Sequence, residues 1–144
     1  MDDIISKTFR RLEEQYGHIE GSLDSLPQVV ANFLRIHAAQ GVIDNGGYPH
    51  FFDSDWPGHP PYSRFIEAYL AIGCEEQARE IERVIATFPF DNPHLHEDDR
   101  KKYMGENYDD EKDEVRGWGD ALCGDKRVWE KLADYCIEHQ DELA

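Results

Sequence analysis

The chain has 144 residues, 40% hydrophobic and 12% aromatic, the composition of a folded chain rather than a disordered one. It carries 31 acids against 15 bases, a net −16 with a pI near 4.6, so nucleic acid and anionic membrane surfaces would both repel it. Its length fits one domain over residues 1–144, large enough to bury a core without disulfides or metal.

Cys74, Cys123 and Cys136 are an odd set with no CxxC spacing, which predicts buried thiols in a reducing cytoplasm. The acidic start, Met1-Asp2-Asp3-Ile4-Ile5, lacks the apolar run of a signal peptide, and no stretch is apolar for long enough to span a membrane.

Residues 2–16 are expected to form an amphipathic helix, with Ile5, Phe9, Leu12 and Tyr16 at helical spacing and Gly17 as the stop. Ser25 is placed to cap a second helix, with Gln28 completing a capping box and Pro27 in the first turn. Leu26, Val29, Val30, Phe33, Leu34 and His37 mark its buried face, His37 as a core histidine. This helix is expected to end at Gln40-Gly41 or Asp44, ahead of a backbone break at Asn45-Gly46-Gly47. At least one of the two glycines is expected at positive φ.

Tyr48, Phe51 and Phe52 fall at i, i+3, i+4, so their rings share one side of a short helical turn. With Trp56 they make an aromatic wedge able to seed a core. The alternative is a binding pocket floored by the glycines, with Asn45 and His50 as polar handles.

Pro57-Gly58-His59-Pro60-Pro61 is a loop. A helix over Tyr62–Ile72, a tight turn at Gly73 and a stripe of Cys74, Ala78, Ile81, Ile85 and Phe88 predict a helical hairpin, closed by Pro-rich chain at 88–93. From Asp91 onward there are 17 acids and 8 bases, and Glu97–Glu114 alone holds 9 acids and 4 bases. Residues 104–114 are expected to be an exposed loop leading to a helix start. Trp118, Ala121 and Leu122 form a short apolar patch. The last helix is expected over Lys126–Glu142, burying Val128, Leu132, Tyr135, Cys136 and His139. No segment alternates with period two, so the fold class is all-α, about six helices around a central hairpin.

Catalytic signatures are missing: there is no GxSxG, Walker loop, HExxH or Rossmann glycine run. His94 and His96, followed by Glu97, Asp98 and Asp99, form the one metal-like cluster. The competing reading makes those acids the first turn of a helix, complementing its dipole. The expectation is no metal, no cofactor and no enzymatic activity.

Asn45-Gly46-Gly47-Tyr48 followed by Phe51-Phe52 resembles the Asn-Gly-Gly-aromatic signature of a bacterial all-helical domain family of unknown function, typified by a DNA mimic protein. The resemblance continues through Ile66-Glu67-Ala68-Tyr69-Leu70-Ala71-Ile72-Gly73 to Ala78, Ile81 and Phe88-Pro89. It covers residues 25 to 90 well and the last helix loosely. His50 stands where the family commonly has Gln, and Asp53, Ser54 and Asp55 where it often has Asn.

The resemblance implies an acidic protein-interaction domain that occupies the DNA-binding surface of a basic protein. Joined to the local charge density, it makes Glu106, Asp109, Asp110, Glu111, Asp113 and Glu114 the candidate interface, with Asn45, Gly46, Gly47, Tyr48, His50, Phe51 and Phe52 as a structural motif. Two alternatives stand beside it: an immunity or adaptor protein whose acids meet a basic partner without copying DNA, and a small-molecule or enzymatic site at Asn45, Gly47 and His50.

Overall fold

The structure, a computed structural model, describes residues 2–17, 23–54, 56, 60–107 and 126–143. In chain order these form α1 (Asp2–Tyr16), a 3-10 turn (Leu23–Ser25), α2 (Gln28–Asp53), α3 (Ser63–Ala71), α4 (Glu75–Ile85), a second 3-10 turn (Pro93–Leu95), α5 (Glu97–Asn107), α6 (Lys126–Glu138) and α7 (Gln140–Leu143). No strand occurs among the described residues, and the fold is all-α. Helix α2 is the hub, packing against α3, α5, α6 and α7, while α1 lies on α6 and α3 on α4.

The long hub corrects the expected break. Helix α2 runs for 26 residues straight through Asn45-Gly46-Gly47, and among the described glycines only Gly73 has positive φ. Two interior glycines cost roughly 2 kcal/mol relative to alanine, and Pro49 offers no amide hydrogen to the carbonyl of Asn45. Continuation places Phe51 and Phe52 in the core at 0% exposure. Burying two such side chains contributes roughly 3–6 kcal/mol. Favourable ring contacts then add to it, with Phe51 about 5 Å from Phe52, Trp56 and Phe65, and Phe52 4.9 Å from Tyr62. The aromatic wedge is therefore the end of the hub helix rather than a separate turn.

The start of α2 also differs from expectation. Ser25 belongs to the 3-10 turn, Pro27 occupies the cap position with extended ψ, and no side chain caps the helix. The Gln28 amide donates to Asn32 Oδ1 at 2.9 Å instead of reaching back. Proline has no amide hydrogen of its own to satisfy and holds the φ a helix entry needs, so the helix starts without a capping box.

The hairpin of α3 and α4 forms as expected. Gly73, at φ 86°, closes α3: its amide donates to the Leu70 carbonyl at 3.0 Å, and the Cys74 amide to that of Tyr69 at 2.8 Å. This paired pattern satisfies the last carbonyls of a helix and requires a left-handed residue. Cys74, Ala78 and Ile81 are buried, as the stripe predicted.

Residues 97–107 are helical, which corrects the exposed loop expected from residue 104. Met104 is buried at 2% exposure, and Glu106 stands exposed on the last turn. Glu97, Asp98 and Asp99 occupy the first turn, where acids suit the dipole. The inner face of α5 is built on Arg100, also 2% exposed. Its Nε donates to the carbonyl of Phe52 at 2.7 Å and its Nη1 to that of Pro93 at 2.9 Å, while Nη2 lies 3.5 Å from the Ser54 carbonyl. One guanidinium thus ties α5 to the C-terminus of the hub helix. The Tyr103 hydroxyl adds a bond to the Thr87 carbonyl at 2.8 Å.

The last expected helix is divided. Helix α6 ends at Glu138, and α7 follows after a turn at His139. Val128, Leu132, Tyr135 and Cys136 are buried and His139 half-buried. Residues 108–125, which include Cys123 and the Trp118–Leu122 patch, lie outside the described residues.

Candidate interaction surface

Two of the fifteen bases are withdrawn from the surface. Arg35 and Arg100 are both buried, so at most thirteen bases face outward against 31 acids. Arg35 pairs with Asp24 at 2.6 Å, and Arg64 reaches the same carboxylate at 3.1 Å. The hydrogen bond from Arg35 holds the Asp24 carboxyl below its ordinary value, against the opposing effect of burial and with help from Arg64. Arg79 pairs with Glu75, Arg83 with Glu80, Lys101 with Glu97 and Arg127 with Glu76. Exposed pairs of this kind each contribute about 0–1 kcal/mol or less, so their main effect is to cancel charge locally.

The acids left over define the surface. On α6, Glu130, Asp134 and Glu138 recur every fourth residue, all exposed, and form no ion pair among the described residues. At the helical rise they form a row with a step of about 6 Å. Ile137, 56% exposed, lies beside the row, and Asp141 of α7 is exposed near the end of the same helix, on the groove that faces α1. The apolar face of this helix is the one its Val128, Leu132 and Tyr135 periodicity announces. The four-residue spacing of the acids was legible there too, as the outer face of the same pattern.

Of the acids singled out from the sequence, Glu106 is exposed at the end of α5. Asp109, Asp110, Glu111, Asp113 and Glu114 lie outside the described residues. Further exposed acids stand on α1, α3 and α4, so negative charge is distributed over several helices.

The motif residues divide by role. The backbone of Asn45, Gly46, Gly47 and Tyr48 is interior helix, His50 is exposed on the last turn, and Phe51 and Phe52 are core. Just before the motif, a polar chain crosses the molecule. The Tyr69 hydroxyl donates to Gln40 Oε1 at 3.0 Å, the Gln40 amide to Asp44 Oδ1 at 2.8 Å, and the Trp129 indole to Asp44 Oδ2 at 2.9 Å. It joins α3, α2 and α6, so the helix bearing the acidic row is fixed to the hub through hydrogen bonds as well as apolar packing. Nothing in the spacing of Gln40, Asp44, Tyr69 and Trp129 signals this.

His94 is half-buried with its ring edge-on to Tyr62, centroids 6.2 Å apart, and the exposed His96 meets Phe90 in the same way at 5.8 Å. Each histidine has its own aromatic neighbour, and no group of three His, Cys, Asp or Glu among the described residues could hold a metal ion. His37 stacks on Phe9 at 4.1 Å, with Phe33 and Trp129 near, and burial lowers its pKa while Glu13 partly opposes this. It is a packed histidine, as the sequence analysis expected.

Concave sites among the described residues include the following two. One, about 390 Å³, lies between α1, α6 and α7, over Thr8, Cys136 and Leu143. The other, about 440 Å³, lies at the open end of the α3–α4 hairpin against residues 92–94. Neither is lined by Asn45, Gly47 or His50. No helix among the described residues is long and apolar enough to cross a membrane.

No curated protein and no solved structure matches the chain significantly. Residues 24–139 match the family model described as DMP19-like protein, a span running from the turn before the hub helix to the end of the helix that carries the acidic row. The chain therefore belongs to the DMP19-like protein family.

Proposed function

We propose that this chain is a DNA mimic, an acidic domain that occupies the DNA-binding surface of a basic protein. Family membership over residues 24–139 carries this reading, because the family is typified by a DNA mimic. The surface chemistry supports it. One strand of duplex DNA presents a charge about every 3.4 Å of axis. The α6 row presents one about every 6 Å, and exposed acids on other helices add to the overall negative field. With Arg35 and Arg100 inside, two of the fifteen bases are kept out of that field, while Lys126, Arg127 and Lys131 stand exposed on the same helix as the row. Glu106 and the acids at 109, 110, 111, 113 and 114 extend the proposed interface beyond α5.

The reaction is association, with no bond made or broken. Carboxylates replace phosphates against Lys and Arg of the partner, and long-range attraction speeds encounter. The test is a pair of neutralised variants, one with Glu130, Asp134 and Glu138 changed to Gln or Asn, the other with Asp109, Asp110, Glu111 and Asp113 changed likewise. Proteins retained from a native lysate are eluted in salt steps and then challenged with their own duplex DNA. Salt-sensitive retention that DNA displaces, and that at least one variant loses, fits mimicry. Retention that DNA leaves intact fits the adaptor reading. If both variants hold the partner as tightly as the parent at every salt concentration, these acids are not the interface.

A further inference from the structure

The groove at the open end of the α3–α4 hairpin has apolar walls and a charged rim. Its walls come from Tyr62, Ile66, Ile85 and Pro93, with His94 at one side and the Glu82 carboxylate at the edge. Tyr62 and Pro93 are buried, which makes them fixed walls, while Ile66 and Ile85 are half-buried and leave apolar area open.

The charges around it favour a cation. Glu82 is exposed and forms no ion pair among the described residues. Glu82, Ile85 and Ala86 lie at the C-terminal end of α4, where the helix dipole is negative. The first turn of α3 contributes a partial positive charge at Ser63, which is smaller than the full charge of a carboxylate. The nearby guanidiniums are paired elsewhere, Arg64 with Asp24 and Glu67, Arg83 with Glu80 and Arg79 with Glu75, although Arg79 also attracts Glu82 through space.

We propose that this groove receives one arginine of the basic partner. The inference rests on the mimic reading for the partner's basic character. The methylene stem of the arginine lies along Ile66, Ile85 and Pro93, as long cationic side chains do on apolar surface. Its guanidinium reaches the rim and pairs with Glu82 through two parallel hydrogen bonds, a geometry lysine cannot offer. At about 440 Å³ the space also accepts an apolar neighbour of that arginine. The groove then adds an oriented anchor to a surface that otherwise attracts by charge alone.

The test needs no identified partner. Amide shifts of the full chain are followed while it is titrated with the blocked peptide acetyl-Gly-Leu-Arg-Leu-Gly-amide, and with the same peptide carrying Gln or Lys in place of Arg. Saturable shifts are expected at Ile66, Ile85, Ala86 and His94, with none for the Gln peptide and weaker binding for the Lys peptide. Glu82→Gln, at an exposed position that leaves the fold intact, should weaken the Arg peptide about fivefold. Glu76→Gln, an exposed acid of α4 outside the groove lining, should not. The proposal is overturned if the shifts spread over every acidic face, if Glu82→Gln has no effect, or if the Gln or Lys peptide binds as tightly. Failure here leaves the DNA-competition result standing, and loss of DNA competition leaves the peptide result standing, so the two readings fail separately.

Discussion

Arg100→Met removes the guanidinium that joins α5 to the end of α2 while keeping most of the stem that packs there. Arg100 is 2% exposed, with short bonds to the Phe52 and Pro93 carbonyls at 2.7 and 2.9 Å. Phe52 lies in the last turn of α2, where carbonyls have no intrahelical partner, so the substitution leaves its oxygen unsatisfied inside the protein, while the Pro93 oxygen loses one of two donors and keeps the His96 amide at 3.2 Å. Hydrogen bonds to a charged donor contribute about 1.5–3 kcal/mol each, so two bonds amount to roughly 3–6 kcal/mol. The desolvation cost of the buried charge disappears with it, so the expected loss is near the lower figure, about 3 kcal/mol. That is a large part of the 5–15 kcal/mol typical of a domain. Arg100→Lys keeps the charge but loses the planar fork that serves two carbonyls, and should cost about 1–2 kcal/mol. Urea unfolding followed by far-UV circular dichroism measures both. If Arg100→Met unfolds at the parent midpoint with the parent slope, the guanidinium does not hold these elements together and the reasoning is wrong.

Four other residues make testable demands. Gly41→Ala should stabilise by about 0.5–1 kcal/mol, because a Cβ there meets nothing within 4 Å and the site is interior helix. Gly73→Ala should destabilise by more than about 1 kcal/mol, because alanine is strained at φ 86°; thermal melts of the two variants should move in opposite directions. His37 has a folded pKa below its ordinary 6.5, so the unfolded chain binds the proton more readily, and stability should fall as pH drops from 6.5 toward the lower folded value. His37→Phe keeps the stack on Phe9 and should flatten that part of the pH profile of the unfolding midpoint. Asp24 shows the same sign of pH dependence in a more acidic window, from a different cause, a carboxyl lowered by Arg35 and Arg64. Its contribution is complete above the ordinary carboxylate value of 3.8 and is lost as pH falls through the folded value, a loss that Asp24→Asn should abolish in acid titrations of the fold.

The all-α class, the α3–α4 hairpin, the buried faces of α1 and α6, and the aromatic character of Phe51 and Phe52 were legible in the residues. Each rests on local periodicity, which expresses how side chains repeat around a helix axis. What local pattern could not decide was the fate of residues 45–49 and 97–107. Two glycines and a proline argue for a break wherever they stand. Only the burial of Phe51 and Phe52 against Trp56, Tyr62 and Phe65, residues further along the chain, makes helix continuation the lower state. Arg100 on the inner face of α5 erases the apolar stripe that would have announced a helix, and it is tolerated there because carbonyls from residues 52 and 93 wait for it. Net charge likewise belongs to the sequence, but which acids stand unpaired on the surface belongs to tertiary structure. Arg35 and Arg100 are drawn inward and Arg79 and Arg83 are spent on Glu75 and Glu80, while Glu130, Asp134 and Glu138 are left in a row because the opposite face of their helix carries the core.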